Sequence, residues 1–80
     1  MSREEVFAGL KEVLHVIRPN TDLSTVTEKT ELVRELGIDS LSMMLVALAV
    51  EEKFQMSFPT DGAAPQTVGD VIDVVLGALK

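Results

Sequence analysis

The sequence predicts an all-α fold: three main helices in an up-down bundle, with one long loop between the first and second. Three observations lead there. Apolar residues recur at helical spacing in three separate stretches. Helix-start signatures stand in front of the first and last of these stretches. Between the first two runs lie some twenty residues with no sustained period.

The first stretch carries Val6, Leu10, Val13, Leu14 and Ile17 on one face, and Ser2 with Glu5 three residues on makes a capping-box pattern. A helix is expected from Arg3 to Ile17, stopped by Pro19, because the residue before proline is pushed out of the helical region. From Arg18 to Asp39 only Leu23, Val26, Leu32 and Leu36 interrupt a polar run. A loop longer than about 12 to 15 residues is uncommon in a compact domain and is usually functional. Its leucines are expected to be pegs into the helical core. Ser40 to Gln55 reads as the second helix, approached through Gly37 and capped by Asp39 or Ser40. Phe58-Pro59 closes that region, and Thr60 to Gln66 reads as a loop or one short irregular helical turn. Thr67 and Asp70 form another cap pattern, after which Val68, Val71, Ile72, Val75, Leu76 and Leu79 keep helical spacing. Val6, Leu10, Val13, Val46, Val50, Phe54, Val71, Ile72 and Val75 are expected to share one core.

Eighty residues suffice for one domain, 1–80, and for little more. A fold of this size hides only about 60% of the surface its unfolded chain exposes, so a deep dry catalytic cavity would consume its core. This argues against an enzyme. Hydrophobic residues at 46% and charged residues at 25% indicate a folded chain. A net charge of −6 opposes nucleic acid and anionic lipid and suits basic partner surfaces. There is no cysteine, so thiol chemistry would need an added group. No apolar run approaches the ~18 residues of a membrane span, and the N-terminus lacks the order of a secretory signal, so a cytoplasmic monomer is expected.

Candidate chemistry concentrates in Leu36-Gly37-Ile38-Asp39-Ser40-Leu41. These residues place a serine beside an acid at the start of a helix, where unpaired N–H groups and the helix dipole favour an anion. Read by itself, Ser40 would be a helix cap, the commonest role of serine at that position. His15, the only histidine, lies opposite the core stripe of the first helix and reads as solvated. With no cysteine and no second histidine, a transition-metal site has nothing to use, and a Ser–His–acid triad has poor support. The acids at Glu4, Glu5, Glu51, Glu52, Asp70 and Asp73 read as helix-end and solvent-facing charges.

The segment resembles the modification motif of the acyl carrier and peptidyl carrier family, whose Asp-Ser-Leu matches Asp39, Ser40 and Leu41. The similarity extends through the first helix and long loop to Glu51-Glu52-Lys53-Phe54, Phe58-Pro59 and Thr67-Val68-Gly69-Asp70. The resemblance implies a covalent 4'-phosphopantetheine on Ser40, taken from coenzyme A. It implies as partners a phosphopantetheinyl transferase, an acyl- or aminoacyl-loading enzyme and synthase components of polyketide, fatty acid or related specialised pathways. An unmodified helical adaptor is the alternative.

The second helix is apolar nearly all round. Met43, Val46, Ala47, Val50 and Phe54 form one side, and Leu41, Met44, Leu45, Leu48 and Ala49 the other, with Glu51 and Glu52 below. Fatty-acid-synthesis members of the resembled family usually carry acids where Ser42 and Leu45 stand. The resemblance therefore leans toward polyketide, peptide or other specialised pathways, with Leu41, Ser42, Met44, Leu45, Leu48, Glu51 and Glu52 as the partner face. Packing of Leu45 and Leu48 beneath the long loop is the other reading of the same stripe.

Overall fold

In the computed structural model, residues 2–58 and 65–79 are described. They form α1 (Arg3–Ile17), α2 (Ser40–Phe54) and α3 (Val68–Ala78), with α1 packed against both others. The irregular turn expected over Thr60 to Gln66 falls largely on residues 59–64, outside those described.

Each helix begins at a side-chain cap. Ser2 accepts from the Glu5 N–H at 3.2 Å, while the Glu5 carboxylate accepts from the Ser2 hydroxyl and not from its backbone N–H, so only half of the expected capping box forms. The box is complete at α3, where Thr67 Oγ1 and the Asp70 carboxylate each accept from the other residue's backbone N–H at 3.1 Å. Helix α1 ends at Ile17, as expected, with Arg18 as its C-cap immediately before Pro19. Helix α2 ends one residue earlier than the sequence pattern suggested, because Gln55 adopts a left-handed conformation with φ 54° and gives its N–H to the Glu51 carbonyl.

All nine residues expected in the core are buried, together with Leu14, Val68 and a set from the long loop: Val26, Leu32, Leu36 and Ile38. Leu23 packs at the edge of this cluster. The loop leucines are thus pegs, and Ile38, fully buried, is a further peg that the apolar count alone did not distinguish.

The loop is held by more than apolar contact. Its backbone runs alongside the start of α3: Leu32 N–H donates to the Gln66 carbonyl at 2.9 Å, Val68 N–H to Thr30 at 3.0 Å and Gly69 N–H to Glu28 at 2.8 Å. Glu31 and Thr67 form an isolated antiparallel bridge there. Buried Thr30 accepts the Thr27 N–H on its hydroxyl, which satisfies a polar group that would otherwise be costly inside. Arg3 pairs with Glu28 of the loop and with Asp73 of α3, tying three segments together at the surface. Those two carboxylates push its guanidinium pKa up, and the exposed setting keeps the energetic worth of these pairs small.

Gly69 marks the closest approach. A Cβ there would lie 2.9 Å from the Glu28 carbonyl oxygen, which cannot recede without breaking its hydrogen bond. Gly69→Ala should gain about 1 kcal/mol of helix propensity yet lose about 1–3 kcal/mol to overpacking. A net loss by denaturant titration, with amide exchange accelerated first at residues 28–32, is the expected result. Phe54→Ala should cost roughly 3–5 kcal/mol. Chemical denaturation measures that against the ~4–12 kcal/mol total typical of a chain this long.

Candidate functional site

The loop delivers its last residues to the head of α2 through a turn that depends on Gly37, whose φ is +67°. Ile38 is then buried and gives its N–H to the Leu32 carbonyl at 3.1 Å. Asp39 is the cap of α2, in extended conformation, with Oδ1 accepting the Ser42 N–H at 2.8 Å. Of the two candidate caps, then, the acid takes the role. Ser40 is the first helical residue and is exposed, its hydroxyl not used for capping. This removes the plain-cap reading of Ser40: the shorter reach of a serine side chain is not needed where a carboxylate one residue earlier already bonds the orphan N–H.

Asp39 is held below the usual carboxylate range, chiefly by the Ser42 backbone N–H, then by the Ser42 hydroxyl, with the charge of Arg18 adding to the effect. Arg18 comes from the end of α1 and passes over Gly37, its Nη2 lying 3.1 Å from where a Cβ at that glycine would stand. A side chain at residue 37 would obstruct this approach as well as strain the turn. Arg18 had no distinguishing signal in the sequence, since its place beside Asp39 depends on how the loop folds back.

Next to Ser40 is an open groove of about 530 Å³ between the loop, the first turn of α2 and the segment entering α3. Val33, Ile38 and Met43 give it apolar walls, and Gln66, Arg34, Glu31 and Asp39 polar ones. Arg34, also not singled out by sequence, makes a loose 3.7 Å pair with Glu31, the arginine side chain largely in solvent and the glutamate half-buried.

The second stripe of α2 is exposed: Leu41 is 67%, Met44 63%, Leu45 48% and Leu48 60% accessible. Leu45 and Leu48 therefore do not pack beneath the loop, which is anchored instead by its own pegs and by α3. Ser42 is half-buried and Ala49 partly so. Of the two acids below the stripe, Glu52 is exposed, whereas Glu51 is half-buried and accepts the Phe58 N–H at 3.1 Å. Glu51 thus fixes the chain after α2 and is not a simple solvent-facing charge. His15 is exposed in the last turn of α1. Among the described residues no group of three or more His, Cys, Asp or Glu is placed to hold a metal, and no helix is long and apolar enough to cross a membrane.

Comparison with known proteins connects this geometry to a chemistry. Residues 4–75 match the family model described as phosphopantetheine attachment site. An acyl carrier protein of Acidothermus cellulolyticus is 36% identical over 81 residues, spanning 98% of this chain and 93% of that protein. The meromycolate extension acyl carrier protein of Mycolicibacterium aurum is 39% identical over 72 residues, 89% of this chain and 73% of its own. An acyl carrier protein of Tropheryma whipplei is 33% identical over 79 residues, covering 98% and 95%. The match takes in α1, the long loop, the head of α2 and most of α3, so the chain belongs to the acyl carrier protein family, the non-catalytic carriers built around a covalently attached 4'-phosphopantetheine.

Proposed function

We propose that the Ser40 hydroxyl is the point of attachment of the phosphopantetheine arm, and that residues 1–80 work as a single carrier domain in acyl-chain assembly, of fatty acyl or polyketide type. The observation that carries the assignment is the exposed Ser40 hydroxyl, freed from capping by Asp39, at the head of α2. The residues around it fit the group: a helix N-terminus favours the anionic phosphodiester, and open space adjoins the hydroxyl. When bound, the arm supplies a thiol on which an acyl group is held as a thioester. The chain's own part is to hold the attachment point still, between the buried Ile38 and the first turn of α2, and to present a surface to successive enzymes.

Acyl cargo is favoured over aminoacyl because the relatives are acyl carriers. One group of them is named for meromycolate extension. Partners on this reading are a phosphopantetheinyl transferase and the enzymes that load and process the acyl group, in the cytoplasm. They would meet Leu41, Met44, Leu45 and Leu48, with Ser42 and Glu52 at the margins and Glu51 bracing the end of the helix.

Intact mass spectrometry after incubation with coenzyme A and a promiscuous phosphopantetheinyl transferase tests attachment. Ser40→Ala should stay unmodified while its stability changes by no more than about 0.5 kcal/mol, the usual range for an exposed site with no cap to lose. Modification of that variant at the wild-type rate would remove Ser40 from the assignment, and an unmodified wild type would favour the adaptor reading.

For the helix face, partner affinity across a salt series separates apolar from ionic recognition. Exposed ion pairs weaken as the screening length falls to about 8 Å at 0.15 M, while apolar contacts persist. Wild-type binding should survive added salt, and Leu45→Glu should weaken it by placing a charge in a contact that must desolvate it. Steep salt dependence, a large loss in Glu52→Gln and tolerance of Leu45→Glu would show acidic recognition instead.

A further inference from the structure

Resting on the assignment of Ser40 as the attachment point, we infer that the groove beside it seats the proximal part of the chain's own phosphopantetheine arm, with Arg34 held over the phosphodiester. The arm is then partly docked on the loop side of α2 and not swinging free from its first bond.

Three observations converge. Ser40 itself lines the groove, so a group esterified to its hydroxyl starts at the groove wall. The kinds of group along the arm also have counterparts on the walls. A phosphodiester is followed by a branched aliphatic segment with two geminal methyls and then by amides. The groove lining holds the guanidinium of Arg34, the apolar side chains of Val33, Ile38 and Met43 and the side-chain amide of Gln66, together with the carboxylates of Glu31 and Asp39. Val33 is 59% exposed, an apolar side chain left in water with a cavity beside it.

The third observation is charge. The molecule carries −6 overall, and Asp39, next to Ser40, is anionic throughout the physiological range. A phosphodiester on Ser40 adds a further negative charge beside that carboxylate, and like charges in such proximity repel. The dipole of α2 offsets part of this and falls off within one turn. Two cations stand nearby. Arg18 is directed at Asp39. Arg34 faces the groove, and its pair with Glu31 is long and exposed, so exchanging that carboxylate for a phosphodiester sacrifices little. A guanidinium presents a planar fork of donors suited to phosphate oxygens.

The test compares isotope-labelled apo and holo protein by NMR, after peptide mapping has located the arm. With the arm on Ser40, amide shifts should change at Val33, Arg34, Ile38 and Gln66 as well as at the residues flanking the serine. Nuclear Overhauser contacts should join the arm's geminal methyls to Val33 and Met43. The phosphorus resonance should move with added salt in the wild type and much less in Arg34→Ala, where the shift changes at Val33 and Gln66 should also be largely lost. Val33→Ser should remove the methyl contacts while leaving the phosphorus resonance in place. Both residues are exposed, and the apo spectrum of each variant reports its fold directly. Shift changes confined to Asp39, Ser40 and Leu41, or an Arg34→Ala holo spectrum matching wild type at the groove, would overturn the inference while leaving Ser40 as the attachment point. An arm mapped to another residue would overturn both.

Discussion

The backbone hydrogen bonds between residues 28–32 and 66–69 govern the position of everything around Ser40. Twenty-odd residues without a helix would, unpinned, lose more in conformational entropy on ordering than their few apolar side chains return. Three backbone bonds, two of which make the Glu31–Thr67 bridge, place this segment against the head of α3. The buried side chains of Val26, Leu32, Leu36 and Ile38 then have a fixed core to enter. Gly69 permits the contact, since any side chain there would collide with the Glu28 carbonyl.

Function inherits its geometry from that docking. Because Ile38 is buried and bonded to Leu32, the chain enters α2 from one direction only. Asp39 then caps the helix, and Ser40 comes out facing solvent with its hydroxyl free of that duty. The same path brings Arg34 and Val33 to one side of the serine and Arg18 to Asp39. A carrier needs a rigid attachment point on an otherwise modest scaffold, and here the rigidity comes from the loop as much as from the helices.

The two faces of α2 divide the remaining work. Val46, Val50 and Phe54 hold the helix to the core. On the other side, the exposed leucines and Met44 form a contiguous apolar strip, a costly exposure for a free monomer and a common mark of a recognition surface. Glu51 shows how a charge that looks solvent-facing in sequence can serve the fold, by accepting the Phe58 N–H where the chain leaves α2.

Local and periodic signals in the sequence determined the three helices, the cap at Thr67 and Asp70, the core-facing residues and the Asp39-Ser40-Leu41 motif. Each depends on residues within a turn or two of one another, where spacing alone constrains geometry. Tertiary structure decided the rest. Whether Asp39 or Ser40 capped α2 turned on the direction of chain entry. Whether Leu45 and Leu48 were covered turned on where the loop lay. The positions of Arg18 and Arg34 and the engagement of Glu51 were set by segments distant in sequence or by irregular backbone. Such contacts leave no period in the sequence, because a loop's path is fixed by backbone bonds that any residue except proline can donate and every residue can accept.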